Sequence, residues 1–177
     1  GYDMYLKLLE EAVLEEKGEK PVNRASSTAD LAVSANIPES YVASTEQRMD
    51  LYRRIALIRT EADADDVLDE LIDRFGEPPD AALVRVALLR GEAGRAGITD
   101  ISQKAGALRF TLDSFDMARV SELYARPEYR GRLRVEAGSV PRISLKLPPK
   151  ARVLDEASRF AAAWASTDIS SKEDQGG

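Results

Sequence analysis

Six carboxylates crowd one short segment: Asp63, Asp65, Asp66, Asp69, Glu70 and Asp73. Carboxylates at this density are the groups that hold a hard cation or divide acid and base roles between them. Cation binding needs a turn that converges the oxygens on one point, and the segment lacks the glycine turn of a calcium loop. At helical spacing the same acids near an N-terminal turn complement the helix dipole and keep the surface soluble. The second chemical candidate is basic. Arg126, Arg130, Arg132, Arg134, Arg142, Lys146, Lys150 and Arg152 could neutralise phosphates, with Tyr124 and Tyr129 for stacking, as in a nucleic-acid-binding accessory module using residues 126–152. Alternation of these cations with Leu133, Val135, Ile143 and Leu145 is also what a solvated sheet face with protected edges looks like.

Other chemistries are excluded by residue type. The 177 residues contain no His and no Cys, so the commonest general base, the thiolate nucleophile and sulfur-ligated zinc are all missing. No Gly-x-x-x-x-Gly-Lys-Ser/Thr loop is present, and Gly91, Gly94 and Gly97 lie near a helix end rather than after a strand. No catalytic residue, metal or cofactor is expected, and the chain should neither bind nor hydrolyse ATP. The absence of Cys fits a reducing cytoplasm, and no apolar run reaches the ~20 residues of a membrane span. The net charge of −6 is uneven. From residue 60 to 80 nine acids face Arg74 alone, whereas residues 126–152 carry eight bases against Glu128 and Glu136. Bulk charge therefore does not name a partner.

The elements that must position these groups are legible in outline. Tyr2, Tyr5, Leu6, Leu9, Ala12 and Val13 share one face of a helix over residues 2–17, and residues 22–29 read as a linker. Leu31, Val33, Ala35 and Ile37 alternate as a strand does, up to Pro38. Three helices follow. Ser44 with Gln47 opens the first, which runs to about Arg59; Thr60 with Asp63 caps the second; Asp80 caps the third, which ends at Gly97. The second helix stops sharply at Gly76 before Pro78-Pro79. Leu68, Leu71, Ile72 and Phe75 form its apolar stripe, so Glu70, Asp73 and Arg74 project from the opposite face and are available to a partner. Arg53 and Arg54 of the preceding helix are placed to pair with this acidic one.

The second half changes period to short strands at 98–101 and 107–112, a helix capped by Asp113 with Asp116 three residues on, a hairpin about Gly138-Ser139, and a last helix burying Phe160 and Trp164. The expected fold is α/β (α+β): an N-terminal helix, a strand plus three helices, a ββαββα-like segment, and a disordered C-terminal tail over 166–177.

Four motifs in order carry a family resemblance: Gly1-Tyr2-Asp3-Met4-Tyr5 with Leu6 to Val13, Ile37-Pro38-Glu39-Ser40-Tyr41-Val42, Arg48-Met49-Asp50-Leu51-Tyr52-Arg53-Arg54-Ile55-Ala56, and Glu70-Leu71-Ile72-Asp73-Arg74-Phe75-Gly76. Together they resemble the C-terminal end of the bacterial transcription-repair coupling factor (Mfd) family. The resemblance implies that residues 1–29 are the terminal helix of a preceding translocase lobe with its linker, and that 30–165 form the C-terminal regulatory (TRCF) domain. In that family the domain is not the motor. It docks on the UvrB-like domain of the same polypeptide, masks the UvrA-binding surface, and restrains the ATP-driven DNA translocase until RNA polymerase engages it. The matching partner-binding positions are Glu70, Asp73 and Arg74. UvrA, RNA polymerase and DNA are then partners of the full-length protein, and a membrane is not.

Overall fold

The computed structural model describes residues 27–168 apart from Ser34 and Ala137. The helix expected over 2–17 and the tail from 169 onward lie outside the described residues. Among the described residues the elements are β1 (Thr28–Asp30), α1 (Thr45–Ala56), α2 (Glu61–Phe75), α3 (Ala82–Arg95), β2 (Ile98–Lys104), β3 (Ala107–Leu112), α4 (Met117–Tyr124), a 3-10 turn (Pro127–Tyr129), β4 (Leu133–Glu136), β5 (Arg142–Lys146) and α5 (Val153–Ser166). The architecture is mixed α/β, and its second half is the ββαββα arrangement that the alternating sequence predicts.

One five-stranded sheet runs in the order β1-β2-β3-β5-β4. The pair β1–β2 is parallel and the others antiparallel. Parallel neighbours need a long crossover, and α1 to α3 supply it. Register places Ile101, Phe110 and Ile143 in one row and Leu108 and Leu145 in the next, all fully buried. Period-2 alternation therefore gives the sheet one apolar face, on which α3 and α5 pack, and one polar face carrying Arg109, Thr111, Arg142 and Ser144. Helix α2 rests on α1 and α3.

Four sequence expectations change. The strand beside β2 is Thr28–Asp30, overlapping the end of the 22–29 stretch read as linker, and the described residues of 31–37 leave the sheet. Their backbone is satisfied elsewhere: Val33 N donates to Leu31 O at 2.8 Å, Ala32 N to the Gln103 side chain at 2.8 Å, and Ile37 N to the Tyr52 hydroxyl at 2.9 Å. Alternating apolar residues here anchor an irregular segment, with Ala35 buried and Leu31, Val33 and Ile37 half-buried. Helix α1 ends at Ala56 rather than near Arg59, because the Arg59 guanidinium donates to Ala56 O at 2.9 Å and Ile58 O at 2.8 Å and closes the turn. At α4 the capping side chain is Asp116, accepting from Ala118 N at 2.9 Å, and not Asp113. At the other end, Ser166 is helical and Thr167 is fully buried, its hydroxyl accepting from Arg119 Nε at 3.0 Å, so the packed chain extends past 165.

The start of α2 follows its sequence signal closely. Asp63 N donates to the Thr60 hydroxyl at 3.2 Å, while the Asp63 carboxylate accepts from Thr60 N at 3.1 Å and Arg59 N at 3.0 Å. These bonds, the one from Arg59 N foremost, hold the Asp63 carboxyl below its ordinary range. We expect Asp63→Ala to lower stability by about 1 kcal/mol near neutral pH, in line with lost helix caps. The folded pKa lies below the unfolded value, so the contribution is complete above about pH 4 and disappears as pH falls through the folded value. Urea unfolding of parent and variant at pH 7 and pH 3 should show the gap closing at the lower pH.

Candidate functional site

Helix α2 ends as a rigid corner. Gly76 caps it at φ 82° and ψ −175°, a mirror-image extended conformation that glycine alone adopts readily, and its N–H donates to Ile72 O at 3.0 Å. Tyr41 ties the corner from outside: its hydroxyl lies 2.7 Å from Gly76 O, a carbonyl beyond the helix end, and 3.2 Å from Leu71 O in the last turn. Burial, then the nearby Glu77 carboxylate, raise the Tyr41 pKa, which keeps the phenol a donor. The Tyr41 and Phe75 rings meet edge to face at 5.8 Å, and the Arg74 guanidinium lies over Phe75 at 4.9 Å.

The three sequence-derived site residues stand on this corner with unequal freedom. Asp73 is exposed. Arg74 is exposed as well, and its guanidinium contacts Glu70 Oε1 at 3.4 Å. Glu70 is half-buried and also forms an ion pair with Arg54 of α1, so it does not project freely as the helical periodicity implies. It bridges two guanidinium groups. Periodicity on one helix carries no information about a cation arriving from another, although the expected pairing of Arg54 with the acidic helix is the signal that points to it.

The apolar stripe is also narrower than its spacing suggests. Ala64, Val67 and Leu71 make the buried line of α2, Leu68 and Phe75 are half-buried, and Ile72 is 42% exposed. Ile72 therefore does not belong to the core. A charged substitution there leaves no buried unpaired carboxylate.

Among the described residues no group of three or more acids is placed to hold a metal ion, so the six carboxylates do not converge. The basic stretch does not form one surface either. Arg132 is directed inward, its guanidinium 2.9 Å from the Glu156 carboxylate, 3.0 Å from Lys146 O and 2.9 Å from Glu128 O. Arg126 bonds the Ser166 hydroxyl. With Tyr129, Glu128, Glu156 and Arg159 these two arginines line a cleft of about 350 Å³ whose opposite charges largely offset one another. Arg134, Arg142 and Lys146 sit instead on the polar sheet face with Arg109, which pairs with Glu136 at 3.6 Å. The expected stacking aromatics are committed elsewhere: Tyr129 is buried against Phe160, and the Tyr124 hydroxyl donates to Leu133 O at 2.9 Å. Trp164 is core, as its place on the last helix predicts, with the Arg119 guanidinium 4.0 Å above its ring. No helix among the described residues is long and apolar enough to cross a membrane.

The family model of the TRCF domain matches residues 31–123, just over half of the chain, a span that includes all of α2. Similar curated proteins are transcription-repair-coupling factors. That of Bacillus subtilis strain 168 is 32% identical over 123 residues, covering 68% of this chain and 10% of the relative. That of Escherichia coli K12 is 33% identical over 119 residues, 62% of this chain and 10% of the relative. That of Mycobacterium tuberculosis is 30% identical over 162 residues, 80% of this chain and 13% of the relative. The chain thus spans about a tenth of the length of these relatives. A crystal structure of the C-terminal domain of a transcription-repair coupling factor superposes with a TM-score of 0.69 at 18% identity, covering 82% of this chain and 95% of that one. The shared fold therefore extends beyond the family-model match.

Proposed function

This chain belongs to the TRCF-domain family of transcription-repair coupling factors, and we propose that it acts as a non-catalytic, autoinhibitory docking domain within a longer protein. In this reading the residues before β1 join it to a preceding translocase lobe, and the folded unit from β1 to Thr167 is the regulatory domain. The unit contacts the UvrB-like domain of the same polypeptide, covers the surface that UvrA would use, and restrains an ATP-driven DNA translocase until RNA polymerase engages the protein.

The observation that carries the reading is the corner of α2, where Asp73 and Arg74 are presented on a backbone fixed by Gly76 and Tyr41. Asp73 accepts hydrogen bonds from a basic group of the partner, and Arg74 pairs with a carboxylate. Glu70 contributes as a bridge that holds Arg74 in place and as an acceptor at the edge of the contact. Each exposed polar pair contributes only ~0.2–1 kcal/mol. Modest contacts suit a releasable clamp, because a switch works between states a few kcal/mol apart.

The test uses the full-length parent protein with Glu70, Asp73 and Arg74 all changed to Ala. These positions lie off the buried line of α2, and Ala favours helix, so the melting temperature should stay within a few degrees of the parent's. Basal ATPase and DNA translocation without RNA polymerase should rise, and affinity for UvrA should increase. A variant that melts like the parent but keeps the parent's basal ATPase and UvrA affinity would rule out this surface as the clamp.

A further inference from the structure

Polar pairs give the docking surface its releasability but leave it without an energetic centre, and the structure assigns that centre to Ile72. This inference rests on the docking reading above and adds the kind of partner surface it requires. Leu68, Ile72 and Phe75 recur at i, i+4 and i+7 along α2 and so lie in one row. The row is the half-open edge of the core: Leu68 and Phe75 are half-buried, and Ile72 stands out at 42% exposure. A single exposed isoleucine is ordinary on a protein surface. This one differs in its setting.

Beside it runs an exposed acidic line, Asp65, Asp69 and Asp73, at successive i, i+4 positions, and Arg74 and Glu77 close the end of the helix. Behind it the platform cannot yield, since Tyr41 is hydrogen-bonded to Leu71 O and Gly76 O and packed on Phe75. An apolar centre, a charged rim and a preorganised backbone are the arrangement in which a few residues carry most of a binding energy. The occupant is accordingly a protein surface with an apolar socket sized for one branched side chain and bordered by Lys or Arg. A carboxylate-rich or purely polar partner surface would leave Ile72 in water and meet the acidic line with like charge.

The experiment is a calorimetric titration of this chain against the UvrB-like domain of the same protein, using the parent, Ile72→Ala and Asp73→Ala, each checked for an unchanged melting temperature. Ile72→Ala should raise Kd by about tenfold or more. Raising the salt from ~0.1 M to ~0.5 M should shrink the effect of Asp73→Ala, because its partner charge is screened, and leave that of Ile72→Ala in place. If the parent binds and Ile72→Ala binds equally well, the anchor is wrong and docking stands. If the parent does not bind at all, the docking reading fails and the anchor with it. Self-association of the chain that is lost in Ile72→Ala would identify a second copy as the occupant and overturn the assignment.

Discussion

Replacing Phe160 with Ala should cost about 3–5 kcal/mol, the range for truncating a fully buried aromatic whose surroundings cannot collapse. Phe160 is completely buried and is the joint between α5 and the sheet. Its ring stacks on Phe110 of β3 at 3.8 Å and 16°, and the Tyr129 ring meets it edge-on at 5.9 Å. Removing it therefore opens a void bounded by three separate elements, none of which can move inward without breaking the β3–β5 ladder or the Tyr129 turn. Total domain stabilities of ~5–15 kcal/mol make a loss of this size large enough to populate unfolded chain at ambient temperature. Urea titration followed by Trp164 fluorescence gives the measurement, since Trp164 lies on the same buried face of α5. Val140→Ala, at a residue 44% exposed, is the control and should change stability by less than about 0.5 kcal/mol. A loss below about 1 kcal/mol for Phe160→Ala would mean that α5 is not packed as described.

Gly91→Ala should destabilise by about 1–3 kcal/mol, although propensity alone would favour Ala inside a helix by up to ~1 kcal/mol. Space decides the sign. A Cβ at Gly91 would stand 2.6 Å from Arg59 O and 2.9 Å from Arg59 Cα, and these are backbone atoms that no rotamer change can move aside. Arg59 directly precedes the Thr60 cap, so relief of the clash pushes the start of α2 away from α3. The consequence reaches the candidate site without touching it: docking should weaken in Gly91→Ala even though Glu70, Ile72, Asp73 and Arg74 are unchanged. Gly138, whose Cβ would meet nothing within 4 Å, is the matching control. Equal stability of Gly91→Ala and the parent would show that α3 does not approach the α1–α2 connection as closely as the structure has it.

Some of this was legible from residue order. The bounds of α2 follow from two local chemical signals, the reciprocal Thr60–Asp63 cap and Gly76 before Pro78-Pro79, each of which acts within a few residues of itself. β3 is similarly local: Leu108, Phe110 and Leu112 alternate because one face must be apolar, and all three are buried. The β1 strand was not legible. Three residues carry little periodic signal, and Thr28–Asp30 became a strand because β2 offered an unpaired edge, whereas the better alternating run 31–37 was diverted by contacts from Gln103 and Tyr52.

At the candidate site the division is the same. Residue types and spacing alone determined that α2 would be an acidic helix with a sharp end and that Asp73 and Arg74 would be presented there. Helical periodicity names the residues able to face a core, but the width of the core is set by what packs against the helix. Only the tertiary structure decided that α1 and α3 bury Ala64, Val67 and Leu71 while leaving Ile72 in water, and that Arg54 reaches Glu70 and turns an exposed acid into a bridge. Caps and alternation are interactions between near neighbours in sequence; burial, ion pairing between helices and the clearance at Gly91 depend on groups dozens of residues apart, which residue order does not bring together until the chain has folded.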